Sequence, residues 1–294
     1  MGEDTEKVAK TFSGRPFSEV NHFVNEDGLH IFTNIWKPEG DCKYLICLLH
    51  GFGGHCVRFN ELASYLTKIG GLVFSHDHIG HGESEGYRTT VDDFNKLIRD
   101  TYQHVDIMKK QYSDLPVFLL GQSMGGALAV LAAHERPDIF KGVILIGPML
   151  LIDPGIQSSF KVSLVKIAAY LIPHFIVTSL PESRGSRDEK EVVISQNDPL
   201  KSCDVKSQMA LQLLRMGEKL EIVMPEFACP FITLHGGDDN TCSVEGSKLI
   251  NQVAKCKDKT IKIYDECRHD LVHELQADRI IFFNDIQAWV EERI

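Results

Sequence analysis

Residues 115–126 have the sequence Leu115-Pro116-Val117-Phe118-Leu119-Leu120-Gly121-Gln122-Ser123-Met124-Gly125-Gly126. The apolar run at the start predicts a strand buried in a parallel sheet. The run from Ala127 to Ala133 consists of good helix formers and predicts a helix that ends before Pro137. A serine between two glycines at such a strand-to-helix turn has the pattern of a nucleophile elbow, which presents the serine hydroxyl at the edge of the sheet.

A structural role for Ser123 is the alternative interpretation of the same pattern. Gly125 and Gly126 would also let a helix pack closely on a strand, and Ser123 would then only cap that helix. A serine hydroxyl is a weak nucleophile at neutral pH and needs a neighbouring base and a group that orients the base. The catalytic interpretation is therefore favoured only if the rest of the chain supplies such a base and such an orienting group.

The composition favours one large α/β domain, or one such domain with an insertion. The chain has 294 residues, of which 43% are hydrophobic, so it is long enough to bury a sizeable core. With 41 acidic against 31 basic residues, its formal charge of -10 argues against a phosphate backbone as partner. No nucleic-acid binding is predicted.

The first residues of the sequence and the cysteines indicate the cellular compartment of the protein. Residues Met1 to Lys7 are acidic and have no apolar core behind them, so no secretory signal is expected and the predicted location is cytoplasmic. The eight cysteines contain no Cys-x-x-Cys pair, which favours reduced thiols over a disulfide framework or a zinc site. Among them, Cys203 and Cys242 are candidates for redox regulation, with buried inert thiols as the alternative.

Strands and helices alternate along most of the chain, which predicts a mostly parallel central sheet with helices on both faces. The strands are predicted at 44–49, 71–75, 115–120, 142–147, 230–234 and 260–264, the helices at 60–68, 91–112, 127–133, 243–253 and 279–290, and a hairpin at 20–38.

The alternation stops between residues 149 and 223, where no further buried strand is evident. We therefore predict a core made of residues 1–148 and 224–294 and a helical cap insertion at 149–223. The apolar run 160–180 inside the insertion would bury Lys161 and Lys166 if it crossed a bilayer, so a transmembrane helix is not predicted. A cap over the active site and an ordinary core helix both remain open for it, and the charged run 183–191 is predicted to be an exposed loop.

Two predicted strands are followed by the partners that Ser123 needs. Asp239 follows the strand at 230–234, and His269 follows the strand at 260–264. The chain order Ser, Asp, His is that of the α/β-hydrolase triad. Asp238 is the alternative acid, and His273 is the alternative base, although we expect His273 to lie inside the next helix.

Two histidine clusters raise the alternative of a metal site. His76, His78 and His81 have a spacing that zinc ligands use, but no acidic residue precedes the third histidine. The segment from His269 to His273 is similar to a zinc-binding His-Glu-x-x-His helix with Asp270 in place of the glutamate. Because both matches are incomplete, no metal is predicted.

The motifs around these residues resemble those of the monoglyceride lipase family. The resemblance lies in residues 49–53, 74–82, 116–126 and 259–264 and extends from about Phe23 to the end of the chain. It implies an α/β-hydrolase fold and the hydrolysis of a monoacylglycerol to fatty acid and glycerol without a cofactor. It also implies a triad of Ser123, Asp239 and His269, with the backbone N–H groups of Phe52 and Met124 as oxyanion hole.

The departures from the family pattern concern the substrate's polar end. Gln122 replaces a histidine, Gly54 a glutamate and Ser195 a tyrosine of the family, and His273 stands one residue beyond the expected histidine. Arg58 matches the family. The resemblance thus implies Arg58 and His273 as contacts for the head group.

The predicted partners are a small lipid ester and, through the cap, the surface of a membrane, with no oligomeric state predicted. Three rivals to the monoglyceride lipase hypothesis follow from the residues. They are a lysophospholipase or carboxylesterase with the same triad, a zinc hydrolase built on the histidines, and a lipid-binding protein without catalytic activity.

Overall fold

In a computed structural model of the protein, the described residues are 8–152, 159–181 and 185–294, with the backbone alone described for 159–161. The strands are β1 (His22–Val24), β2 (His30–Trp36), β3 (Tyr44–Leu49), β4 (Gly71–His76), β5 (Val117–Gln122), β6 (Phe140–Ile146), β7 (Ile176–Ser179), β8 (Asp204–Lys206), β9 (Phe231–Gly236) and β10 (Lys259–Tyr264). The helices are α1 (Asn60–Lys68), α2 (Asn95–Gln111), α3 (Met124–Glu135), α4 (Ser159–Leu171), α5 (Glu189–Gln196), α6 (Ser207–Val223), α7 (Val244–Val253) and α8 (Gln276–Glu291).

Eight strands of the described chain form one sheet in the order β1-β2-β4-β3-β5-β6-β9-β10. β4, β3, β5, β6, β9 and β10 run parallel to one another, whereas β1 and β2 form the predicted antiparallel hairpin at one edge. The prediction of a mostly parallel sheet alternating with helices is confirmed. Because parallel strands end at the same edge, β5, β9 and β10 bring the segments that follow them together.

The sheet is covered on both faces, which explains why its central strands are continuously apolar. Every residue of β3 and β4 is buried. On one face lie α2, α3 and α7, with Leu97, Leu128 and Ile250 in a shared core. On the other face lie α1 and α8, with Leu62 and Phe282 in a second core. The site described below is therefore built on a rigid platform.

The predicted cap segment, residues 149–223, lies between β6 and β9 and contains α4, α5 and α6 together with β7 and β8. The two strands pair antiparallel in a separate small sheet. The sequence did not predict them because each is short, and all four residues of β7 are exposed, so neither has the apolar run of a buried strand.

The prediction of an exposed loop at 183–191 is wrong for its described part, residues 185–191. Ser186 is 4% exposed, and Asp188 caps α5 by accepting a hydrogen bond from the Lys190 N–H. Ser186 and Arg187 have hydrogen-bond partners in the core, which a charge pattern alone does not reveal, whereas Glu189 and Lys190 are exposed. Residues 183 and 184 lie outside the described residues.

Along the described ranges, none of the helices has the length and apolar content needed to cross a lipid bilayer.

Candidate active site

Ser123 occupies the sharp turn between β5 and α3. Its backbone has φ 55° and ψ -120°, an unfavourable conformation for a residue with a side chain. The neighbouring glycines are required by close backbone contacts: a Cβ on Gly121 would lie 2.2 Å from the carbonyl oxygen of Gly125, and one on Gly125 would lie 2.1 Å from that of Leu49. Strain at one half-buried polar residue, enforced by tight packing around it, is typical of functional sites.

Asp239 and His269 follow β9 and β10 and are hydrogen-bonded to each other. His269 Nδ1 lies 2.7 Å from Asp239 Oδ2, and the Asp239 side chain is fully buried. Asp239 also accepts hydrogen bonds from the backbone N–H groups of Thr241 and Cys242, at 2.7 and 2.9 Å. Its Oδ2 lies 3.1 Å from His235 Nε2.

These contacts decide the charge of Asp239 and the tautomer of His269. Burial by itself raises the pKa of the Asp239 carboxyl, but the hydrogen bonds from His235 and His269 outweigh it and lower the pKa below the ordinary value. An ionised carboxylate only accepts hydrogen bonds, so His269 carries its proton on Nδ1 in the neutral form. Its Nε2 is then the nitrogen with a free lone pair.

The alternatives left open by the sequence are distinguished by position. Asp238 is exposed, and its neighbour Asp239 contacts the histidine. His273 lies in the helix that follows His269, as predicted. His273 ends a short 3₁₀ helix, Leu271–His273, and α8 begins only at Gln276.

The glycine-rich loop after β3 packs directly against Ser123. A Cβ on Gly51 would lie 3.0 Å from Ser123 Cβ and 3.6 Å from its Oγ. The next residue, Phe52, therefore lies in a loop that borders the serine. On the other side, α3 begins at Met124, and the first N–H groups of a helix have no intrahelical acceptor. Both backbone amides predicted for the oxyanion hole are thus in segments that adjoin the hydroxyl.

The same loop contacts the predicted cap segment. The Ser202 N–H donates to the carbonyl oxygen of Gly53 at 3.0 Å. Gly53 has φ +69°, and a Cβ there would lie 1.8 Å from the Ser202 carbonyl oxygen. Near this point, His55 Nε2 lies 2.8 Å from Asp198 Oδ2. The segment that borders Ser123 is therefore joined to the insertion by backbone and side-chain contacts.

A polar network centred on Asp270 lies beside Ser123. The Gln122 side chain donates to Asp270 Oδ1 at 3.0 Å. Asp270 Oδ2 lies 2.8 Å from His273 Nδ1 and 3.8 Å from the Arg58 guanidinium. Burial raises the pKa of the Asp270 carboxyl, but the charges of His273 and Arg58 outweigh it, so the net shift is downward. Arg58 and His273, predicted as substrate contacts, are thus linked to each other through one carboxylate.

The described part of the chain encloses a cavity that contains these residues. Its core wall includes Ser123, His269 and the Asp270 network. The opposite wall belongs to the predicted cap segment and includes Leu180, Val192, Ser195, Lys201 and Cys203. Lys201 donates a hydrogen bond to Ser195 Oγ.

Cys242, a candidate for redox regulation because it stands three residues after Asp239, is a near neighbour of Ser123. Its Sγ lies 3.7 Å from Ser123 Oγ. Burial, followed by the negative charge of Asp239, raises the pKa of the Cys242 thiol. A protonated, buried thiol at this place fills space beside the hydroxyl and is a poor nucleophile itself.

One ring nitrogen of each histidine in the first metal alternative faces a protein partner, whereas His76 Nε2, His78 Nδ1 and His81 Nε2 are buried without a hydrogen-bond partner among the described residues. His78 Nε2 is 3.1 Å from the carbonyl oxygen of His50, and His81 Nδ1 is 2.9 Å from that of Ile79. His76 Nδ1 is 3.3 Å from His104 Nδ1. Within the described ranges, metal-ligand atoms converge at one place, formed by Cys267, Glu274 and Asp278. The guanidinium of Arg187 contacts all three of them.

Three further residues of the site were not predicted to act in it, although Asp270 was noted in the sequence as part of an incomplete zinc-binding pattern. His235 and Asp270 contribute to the charge around the site, and Lys201 contributes a cation to the cavity wall. Only His235 had a signal, because it stands four residues before Asp239 at a strand end. Two partners of Asp270, Gln122 and Arg58, come from distant parts of the chain, whereas His273 is three residues away. Ser195, a hydrogen-bond partner of Lys201, is six residues away.

Comparisons with known proteins identify the family of the chain. The family described as "Serine aminopeptidase, S33" matches residues 40–276. Human monoglyceride lipase is 42% identical over 279 residues, which cover 95% of this chain and 92% of that protein. A monoglyceride lipase homolog of monkeypox virus is 35% identical over 276 residues, covering 94% of this chain and 99% of the viral protein.

Among solved structures, a soluble variant of monoglyceride lipase from Saccharomyces cerevisiae in complex with a substrate analog has a TM-score of 0.83. It is 22% identical and covers 93% of this chain and 95% of its own, a likeness of fold. The fold and the matched family define the class: the protein is a carboxylic ester hydrolase with the α/β-hydrolase fold. Within that class, the chain belongs to the monoglyceride lipase family.

Proposed function

We propose that the protein hydrolyses monoacylglycerols to fatty acid and glycerol, with Ser123 as nucleophile, His269 as base and Asp239 as the acid that orients it. The observation that carries the proposal is the hydrogen bond between His269 Nδ1 and the buried carboxylate of Asp239, in a cavity that Ser123 also lines. Curated relatives named monoglyceride lipase cover nearly the whole chain and supply the substrate class.

In the proposed mechanism, His269 Nε2 takes the proton of Ser123 as the hydroxyl oxygen attacks the ester carbonyl. Asp239 remains ionised and stabilises the imidazolium that forms, which its lowered pKa favours. The N–H groups of Phe52 and Met124 donate to the tetrahedral oxyanion. His269 then gives its proton to the departing glycerol, and water attacks the acyl-enzyme by the same sequence of steps.

Residues 149–223 act as a cap over a core made of 1–148 and 224–294. Support comes from the cavity, whose wall opposite Ser123 belongs to this segment. The glycerol end of the substrate contacts Arg58 and His273, because both lie in the polar network beside the serine. The acyl chain extends along the cap side, where Leu180 and Val192 contribute apolar surface.

The cap also contacts the membrane from which the substrate enters. Its α4 helix and the residues that follow expose large apolar side chains: Leu164, Ile167, Tyr170, Leu171, Ile172, Phe175 and Ile176. We call these seven residues the apolar face. Tyr170 is 86% exposed and Leu171 66%. Contiguous exposed apolar residues are typical of surfaces that bind a partner or a membrane, and a lipid substrate favours the membrane.

A lysophospholipid is the second candidate substrate. The observation that favours it is a pair of cations, Arg58 and Lys201, in the wall of the cavity. Small residues, Gly54 and Ser195, line the same cavity. A phosphate-bearing head group would contact both cations, whereas glycerol needs only hydrogen bonds.

The test is a side-by-side assay of monoacylglycerol, diacylglycerol and lysophospholipid with one acyl chain, using Ser123→Ala as the blank. We expect the highest kcat/KM with the monoacylglycerol, and turnover that disappears in the blank. A higher kcat/KM with the lysophospholipid would replace the substrate assignment while retaining the nucleophile. Equal turnover by wild type and Ser123→Ala would refute the nucleophile itself.

A further inference from the structure

Arg187, in the predicted cap segment, joins that segment to the end of the core that carries His269. Its side chain is 19% exposed, and Nε lies 3.0 Å from Glu274 Oε2. The same guanidinium contacts Cys267 Sγ at 3.2 Å, Glu266 at 3.2 Å, and Asp278. One cation of the insertion thus contacts four groups between β10 and the first turn of α8.

Among the partners of Arg187, Glu274 has the strongest effect on the loop, because it is buried and accepts hydrogen bonds from two backbone N–H groups. The residue is 0% exposed. Its Oε1 accepts a hydrogen bond from the Arg268 N–H at 2.7 Å, and its Oε2 accepts one from the Leu275 N–H at 3.2 Å. Glu274 therefore closes the loop 268–274, and His269 lies at the start of that loop. A buried carboxylate needs a compensating charge, and Arg187 supplies it from the insertion.

The neighbouring backbone reinforces this contact. The Asp270 N–H donates to the carbonyl oxygen of Gly185 at 2.7 Å. Ser186 Oγ donates to the carbonyl oxygen of His273 at 2.7 Å, and the Arg268 guanidinium donates to the carbonyl oxygen of Ser186 at 3.0 Å. Residues 185–187 consequently lie along the whole length of the loop that carries His269.

We propose that Arg187, acting through Glu274, is a positioning residue for His269, so that the cap holds the base in place as well as covering the substrate. The proposal rests on the proposed roles of Ser123 and His269. Arg187 does not line the cavity wall described above, whereas its neighbours Gly185 and Ser186 do. Its effect therefore passes through the loop 268–274 and not through contact with substrate.

The physical reason is the sensitivity of proton transfer to distance. A displacement of about 1 Å in a reacting group costs on the order of 10²-fold in rate. Without Arg187 the Glu274 carboxylate has lost the positive charge that compensates its own. The loop 268–274 must then shift so that water can solvate this carboxylate. His269 would then shift relative to Ser123, which lines the same cavity, even though all three residues of the proposed triad were still present.

The test uses Arg187→Met, Arg187→Lys, Glu274→Gln and the double variant Arg187→Met/Glu274→Gln. The substrate is p-nitrophenyl butyrate, a short soluble ester that needs no glycerol subsite. Arg215→Met is the matched control, since Arg215 is an exposed arginine on α6 of the same insertion. Asp278→Asn removes another carboxylate that contacts the guanidinium and leaves Glu274 untouched.

We expect Arg187→Met to lower kcat by on the order of 10²-fold with little change in KM, and to shift the acid limb of the pH profile of kcat. Arg187→Lys should recover part of the loss. In the double variant the buried charge is absent, so kcat should exceed that of Arg187→Met. Arg215→Met and Asp278→Asn should stay close to wild type.

A lowered melting temperature of Arg187→Met with unchanged kcat and pH profile would overturn the inference, because it would show a purely structural anchor. Additive losses in the double variant would also overturn it. If Arg187→Met does not fold, kcat and its pH profile are compared with wild type in Arg187→Lys and in the double variant instead.

Proton NMR of the resting protein separates this inference from the proposed function. The proton between His269 and Asp239 should give a downfield signal in the wild type and lose it in Arg187→Met. That result needs no turnover, whereas failure of the wild type to hydrolyse any ester would refute the proposed function. An unchanged signal in Arg187→Met would refute the positioning role.

Discussion

The sheet edge that carries Ser123 is held by close backbone packing, whereas the predicted cap segment exposes apolar side chains and depends on contacts with the core. At the sheet edge, close backbone contacts at Gly121 and Gly125 fix the serine turn, and Asp239 is fully buried. In the cap segment, the apolar face points outward and several side chains find their partners in the core. The difference supports our proposal that residues of the core carry out the chemistry while the insertion covers the site, and the two are joined by contacts such as that of Arg187 with Glu274.

The largest effect expected from this comparison is at the acid of the triad. Asp239→Asn should lower kcat by about 10⁴-fold, because an amide permits the wrong tautomer of His269 and does not stabilise the imidazolium. The matched control is Asp238→Asn, one residue earlier and exposed. It should stay within about twofold of wild type. The measurement is ester hydrolysis by both purified variants, and a similar loss in both would contradict the assignment.

The next effect concerns the packing of the serine turn. Gly125→Ala should destabilise the fold by about 3 kcal/mol or more, because the new Cβ would lie 2.1 Å from the Leu49 carbonyl oxygen, in rigid backbone. Gly40→Ala is the control, since a Cβ at Gly40 meets nothing within 4 Å. Urea unfolding at equilibrium measures both. Equal midpoints would show that the core edge is less rigid than we infer.

The buried histidines make the core sensitive to acid. Burial is the largest cause that lowers the pKa values of His50, His76 and His78, and it lowers those of His81 to about 4 and His104 to about 3. In the unfolded chain these groups take up protons below about pH 6.5, whereas the folded core excludes them. The stability present above that pH is therefore lost as the pH falls.

Each such histidine contributes a slope of up to about 1.4 kcal/mol per pH unit. Urea unfolding at pH 7, 6 and 5 should show a steadily falling free energy of unfolding. His104→Phe removes one of these groups from an environment that already contains Phe23 and Phe74, and it should reduce the slope by about one such contribution. A free energy that does not change between pH 7 and 5 would contradict the burial of these groups.

The smallest expected effect is on membrane binding by the apolar face of the proposed cap. The double variant Ile167→Ser/Leu171→Ser should weaken binding to phospholipid vesicles by about tenfold, because it removes apolar area from the proposed contact. Ile280→Ser/Ile281→Ser is the matched control, with exposures of 50% and 53% on α8 of the core. Vesicle sedimentation measures binding, and p-nitrophenyl butyrate hydrolysis should be unchanged in both. Equal loss in the control would indicate a general effect of exposed apolar area.

The part of the molecule that the sequence predicts well is the part governed by local patterns. Continuous apolar runs identified the central strands, and the helix at 60–68 has the predicted bounds. The triad candidates were found because each follows a predicted strand, and strand ends converge in a parallel sheet. α2 begins at Asn95 and not at residue 91, a boundary that periodicity alone places poorly.

What the sequence did not predict depends on contacts between distant residues. The roles of Arg187 and Glu274 arise from a pairing across 87 positions, and the charged composition around Arg187 favoured an exposed loop. β7 and β8 are held by each other and lack an apolar face of their own. The head-group side of the site is unpredictable for the same reason, since Gln122 has its partner at Asp270.

The contact between Gly53 and Ser202 has a consequence for how members of this family can diverge. Because the Ser202 backbone occupies the space of a Gly53 side chain, neither position can change shape without the other. A chimera that receives a foreign cap must therefore import residues 195–203 together with a compatible loop 50–54. Substrate range and reaction rate would then change together. Members of the family that differ in their caps should therefore retain the backbone contact between Gly53 and Ser202.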